Sequence, residues 1–123
     1  MSRTEDAAAI EAVLKAYEDG TRERDPETLR AVFHEGAVMS GWLGPDFLVG
    51  GPEPFYEALA AQVVGPDYTS RITAVDVVGA TARARTVEDG LFGLSFVNEF
   101  HLARGPEGWR IVSKLFHHDP PEG

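Results

Sequence analysis

The chain has 123 residues, enough for one domain with its own core and too few for two. Its 20 acidic against 11 basic residues give a formal charge of -9; with the basic residues unclustered, this argues against nucleic acid and anionic membrane as partners. The lack of cysteine removes disulfides, zinc-thiolate sites and a thiol nucleophile, and together with an N-terminus unlike a signal peptide it points to the cytoplasm.

Residues 3–19 read as a helix, because Ile10, Val13, Leu14 and Tyr17 form one apolar stripe and Ser2-Arg3-Thr4-Glu5 fits a capping box. Asp25-Pro26 is an N-cap followed by proline at the first helical position, opening a short helix with Leu29, Val32 and Phe33 inward and Gly36 as its stop. Residues 37–43 and 47–49 are short strand candidates around Gly44-Pro45-Asp46. A third helix begins near Pro52, carries Phe55, Tyr56, Leu59 and Val63, and stops at Gly65-Pro66.

From there the pattern is all strand: 68–78 and 81–88, hinged at Gly79-Ala80, then two long segments joined by Gly105-Pro106-Glu107-Gly108. In the first, Phe92, Leu94, Phe96, Asn98, Phe100 and Leu102 share the core-facing row, with Asn98 its one amide. In the second, Trp109, Ile111, Ser113, Leu115 and His117 form the more apolar row. Residues 1–119 are expected to form one domain and 120–123 a frayed tail. Helices early and a strand meander late imply an α+β fold, a twisted antiparallel sheet wrapped around three N-terminal helices. The space between them is a conical pocket bringing Tyr17, Asn98, Ser113 and His117 within reach of one another, with Trp42 and Tyr56 as walls of its mouth.

Each of these residues has a plainer role open to it. Tyr17, Trp42 and Tyr56 would serve as core aromatics, Asn98 as a tie across a strand bulge, and His117 as a satisfied histidine at a strand end. His117-His118-Asp119 does not make a metal site, since neighbouring strand side chains point to opposite faces.

Ala16-Tyr17-Glu18-Asp19-Gly20, then Asp25 to Leu29 leading into Val32 to Ala37, and the closing Gly108 to Lys114, together resemble the cone-shaped nuclear-transport-factor-2-like (NTF2-like) superfamily across nearly the whole chain. That superfamily includes steroid isomerase, scytalone dehydratase and the SnoaL-like polyketide cyclases. The ending Ser113 to His118 is most similar to its bacterial group named putative lumazine-binding. In the isomerases the resemblance sets Tyr17 at one oxyanion-hole donor, the second on or beside Asn98, and Gly41 where the catalytic aspartate belongs. Donors without that base suit a carbonyl or heterocycle but not enolisation. The reading is a binding domain for a small apolar or heterocyclic molecule, needing no cofactor or metal. Ser113 and His117 join Tyr17, Trp42, Tyr56 and Asn98 as its ligand contacts. A lyase, isomerase or polyketide-cyclase-like enzyme with His117 as acid or base stays open, as does an interaction module using the sheet face. The apolar outer residues Val97, Val112 and Phe116 imply a homodimer.

Overall fold

The computed structural model describes residues 2–118. Helix α1 (Arg3–Arg22) starts where Ser2 Oγ accepts the Glu5 N–H at 3.1 Å. It buries the stripe Ile10, Leu14, Tyr17 and Thr21. Gly20 lets it run past the expected end, since a Cβ there would stand 3.1 Å from Leu29 of the next helix. Asp25 caps α2 (Pro26–Val32) by accepting from the Glu27 and Thr28 N–H groups, and the Thr28 hydroxyl, donating at 2.7 Å, does most to hold its carboxyl below the usual range. The chain passes directly from α2 into β1 (Phe33–Leu43), so Gly36 lies in a strand and does not end the helix.

Strand β2 (Asp46–Gly50), α3 (Glu53–Ala61), β3 (Thr69–Val78), β4 (Thr81–Leu91), β5 (Leu94–Gly105) and β6 (Gly108–His118) follow. No basic residue in its own last turn serves the C-terminus of α3. Arg24, at φ 56°, reaches over instead and donates to the carbonyls of Leu59 and Ala60 at 2.6 and 2.8 Å, a charge placed where a helix end favours a cation.

The sheet order is β2-β1-β6-β5-β4-β3. The later strands pair in sequence as an antiparallel meander, and β1 joins β6 in parallel. The sheet is therefore mixed where a wholly antiparallel one was expected, because the helical segment between β1 and β3 carries the chain across the sheet. The three helices pack on its inner face around Tyr17, whose ring meets Phe33, Phe55 and Phe100 at centroid distances of 5.2 to 6.1 Å. The fold is thus the α+β cone that the element order implied. No helix among the described residues is long and apolar enough to cross a membrane, and the tail at 120–123 lies outside the described residues.

Candidate functional site

A cavity of about 260 Å³ opens between α3, the β1–β2 hairpin and the inner face of β6. Its walls are apolar: Met39, Leu48, Phe55, Leu91, Phe96 and Phe116 contribute most of the character. Phe92 stands at its rim in the left-handed region, φ 56°, followed by Gly93 at 76°. This two-residue turn matches the twist of β4 and β5 at the cost of a strained phenylalanine.

The one charged side chain among the described lining residues is Lys114. It is 4% exposed, with Nζ 4.5 Å from the ring centre of Phe55 and 5.8 Å from that of Phe116. Nζ donates to the Tyr17 hydroxyl at 2.7 Å, and that hydroxyl donates onward to Glu88 Oε1 at 2.8 Å. Glu88 is fully buried. It also accepts from the Tyr68 hydroxyl at 2.6 Å and from Asn98 Nδ2 at 2.6 Å, while Asn98 Nδ2 donates to Thr86 Oγ1 as well. Three donors converging on one carboxylate compensate its removal from water.

Electrostatics follow from burial. Loss of water pushes the Lys114 ammonium below its ordinary 10.5, against the opposing pull of Glu88 at 3.9 Å. Burial, then the Glu88 charge, raises the phenols of Tyr17 and Tyr68 well above their usual range. Both phenols therefore stay protonated as donors while Lys114 is drawn toward the neutral amine, the form with a lone pair.

Of the six residues singled out in the sequence, the structure brings Tyr17 and Asn98 together. Both meet at Glu88, in the layer behind the cavity wall, with Tyr17 one hydrogen bond from the cavity through Lys114. Tyr56 is buried on another side of α3 against Phe33, under the Arg30 guanidinium. Trp42 is 47% exposed and pairs with Phe47 on the outer side of the β1–β2 hairpin. Ser113 and His117 also lie on the outer face, contrary to the row assigned to them.

The reason is a bulge in β6. Leu102 pairs with Ile111 but His101 pairs with Ser113, so Val112 is one extra residue. Beyond it every side chain changes face. Trp109 and Ile111 point inward, then Lys114, Phe116 and His118 continue that row opposite Phe100, Asn98 and Phe96. Alternation without the bulge would leave Lys114 on the outer row with Val112. Glu88 was also missed, although strict alternation from Ala82 through Ala84 and Thr86 places it on the inward row of β4.

Gly41 departs from an isomerase site in geometry as well as chemistry. It sits at φ 152°, and a Cβ there would collide with the Phe116 carbonyl and come within 2.9 Å of the Phe116 ring. The pairing of β1 with β6 leaves no room for a carboxylate. Among the described residues no three His, Asp or Glu side chains gather as a metal site.

Residues 5–117 match the family described as "Putative lumazine-binding". No curated protein matches the chain. Among solved structures, an NTF2-like protein of unknown function from Shewanella baltica OS155 is 25% identical, with TM-score 0.90 over 98% of this chain and 99% of that one. A second, from Methylobacillus flagellatus KT, is 28% identical, with TM-score 0.87 over 98% and 96%. A ketosteroid isomerase-like protein from Erwinia carotovora atroseptica SCRI1043 is 21% identical with TM-score 0.69 over 93% and 96%, a likeness of fold alone. With an open cone of matching topology and a family match over nearly its whole length, the chain belongs to the "Putative lumazine-binding" family of the NTF2-like superfamily.

Proposed function

We propose that the domain binds a small, mostly apolar molecule in the cavity at Lys114, which meets a carbonyl or ring acceptor of that molecule. The observation that carries this reading is the isolated amine: a single ionisable group at an otherwise apolar wall, held by Tyr17. One polar contact fixes orientation while the apolar wall supplies burial. The volume of about 260 Å³ lies just below the roughly 300–1,000 Å³ usual for ligand sites, which favours one or two fused rings. The family description supports a pteridine such as lumazine, whose carbonyls are acceptors for an N–H.

Melting curves with lumazine and a panel of bicyclic aromatic carbonyl compounds test this. A ligand of the native state stabilises by RT ln(1 + [L]/Kd), about 2.7 kcal/mol at a hundredfold excess over Kd. The shift should vanish in Lys114→Met. A flat melting temperature across the panel would sink the reading.

A homodimer through the outer sheet face belongs to the same proposal. The patch now consists of Val38, Trp42 and Leu115, which are 44%, 47% and 52% exposed, with Val97 and Val112 half-buried beside them. Phe116, expected there, is turned inward by the bulge. Exposed apolar patches of this kind suit self-association. Light scattering at the monomer mass of 13.4 kDa throughout the micromolar range would remove the dimer.

A further inference from the structure

We propose that Lys114 condenses with an aldehyde or ketone held in the cavity to give an imine, with Tyr17 and Glu88 relaying the protons. This rests on the cavity being a binding site and assigns it a reaction. An amine attacks a carbonyl only as the neutral form, and lysines used this way are desolvated in apolar pockets. Lys114 has that setting: nearly complete burial, aromatic walls, and no hydrogen bond directly to a carboxylate, since Glu88 stands 3.9 Å away. What it has is a phenol at 2.7 Å, itself 2.8 Å from that carboxylate.

The steps balance without an added reagent. The nitrogen lone pair forms the C–N bond and the carbonyl π pair moves to oxygen. The nitrogen sheds one proton to the Tyr17 hydroxyl oxygen as Tyr17 passes its own to Glu88, and a proton returns along the same route to the alkoxide, giving the neutral carbinolamine. The second N–H proton takes that path as the C–O bond breaks, so that the oxygen leaves as water and a neutral imine remains. An apolar cavity favours this last step and slows the reverse hydrolysis.

The chain contains its own control, for Lys15 is the only other lysine. It is exposed, paired with Asp19 at 3.0 Å and Glu18 at 3.8 Å, and its hydrogen bond to Asp19 raises its ammonium above the ordinary value. The wild-type protein is treated at neutral pH with 2-naphthaldehyde and cyanoborohydride, which delivers hydride to the iminium carbon and fixes the adduct as a secondary amine. Peptide mapping should find Lys114 labelled about tenfold or more faster than Lys15 and the terminal α-amine. Tyr17→Phe should slow labelling at Lys114 by at least about tenfold, with each protein compared at the same fractional occupancy set by its own thermal stabilisation by 2-naphthalenemethanol, which lacks a carbonyl, so that a change in binding is taken out of the rate. Stabilisation by the alcohol with no preferential labelling of Lys114 would overturn the imine and leave the binding reading standing. Neither stabilisation nor labelling would overturn both.

Discussion

Lys114 Nζ and the Tyr17 hydroxyl lie 2.7 Å apart across 97 residues of sequence, joining the sixth strand to the first helix in the one place where the cavity meets the buried polar network. Replacing Lys114 by Met separates a structural from a functional role. Glu88 keeps its three hydrogen bonds from Tyr17, Tyr68 and Asn98, and the Lys114 aliphatic stem is matched in volume. The variant should lose less than the roughly 3 kcal/mol usual when one partner of a buried ion pair is removed, because those three donors still compensate the carboxylate. Loss of about 3 kcal/mol or more in urea denaturation would show that the amine holds the core together.

The same amine sets a pH dependence. Its folded-state pKa lies below 10.5, so between the two values the unfolded chain binds one more proton and stability rises with pH. The slope reaches at most about 1.4 kcal/mol per pH unit. Below the folded pKa the penalty is fully present and the slope disappears. The difference in stability between wild type and Lys114→Met, followed as pH is raised up to 10.5, isolates this group, because tyrosine ionisation in the unfolded chain is common to both proteins. Parallel pH curves for the two proteins would refute it.

Asn98→Leu should destabilise the protein by about 1–3 kcal/mol with no ligand present. Its amide N–H group ties Glu88 to Thr86 in a fully buried site. Leucine leaves the carboxylate one donor short and cannot return the bond. Asn98→Asp should be worse at neutral pH, with two carboxylates in contact, and should recover on mild acidification as one of them protonates. Equal stability of Asn98→Leu and wild type in chemical denaturation would contradict the tie.

Much of the fold was legible because its signals are local. The caps at Ser2 and Asp25, the turn between β5 and β6, and the alternation along β5 each act within a few residues. So the helices, the late meander and the cone emerge from the sequence, and Tyr17 and Asn98 fall on inward rows. The site was less legible because β6 carries one extra residue at Val112, with no glycine or proline to mark it. That residue exchanges the Ser113, Leu115 and His117 row for the Lys114, Phe116 and His118 row. The parallel pairing of β1 with β6 depends on contacts distant in sequence, which periodicity does not encode.

Gly41→Ala should be among the most damaging single substitutions in the chain, costing on the order of 4 kcal/mol or more. Backbone at φ 152° already excludes most side chains, and the Phe116 carbonyl occupies the position a Cβ would take. Gly41→Asp should therefore not restore an isomerase base; soluble expression and the near-ultraviolet circular dichroism of native packing should both be lost. A folded Gly41→Asp protein would mean that β1 can move away from β6.

Asp6 ties α1 to the β5–β6 hairpin, accepting from Arg104 at 2.8 Å and from the Trp109 indole at 3.1 Å. Burial of its carboxyl opposes ionisation, but the hydrogen bonds from Trp109 and Arg104 and the Arg104 charge outweigh it and hold the group below its ordinary 3.8. A lowered folded-state pKa means stability that is complete well above 3.8 and is lost as pH falls from there through the lower folded value. Asp6→Asn retains an acceptor for the indole but gives up the charge facing Arg104. It should melt lower than wild type at neutral pH, and the two melting temperatures should converge as both are acidified below that window. A difference that persists unchanged at the acid end would assign the effect to packing and remove the carboxylate from the account.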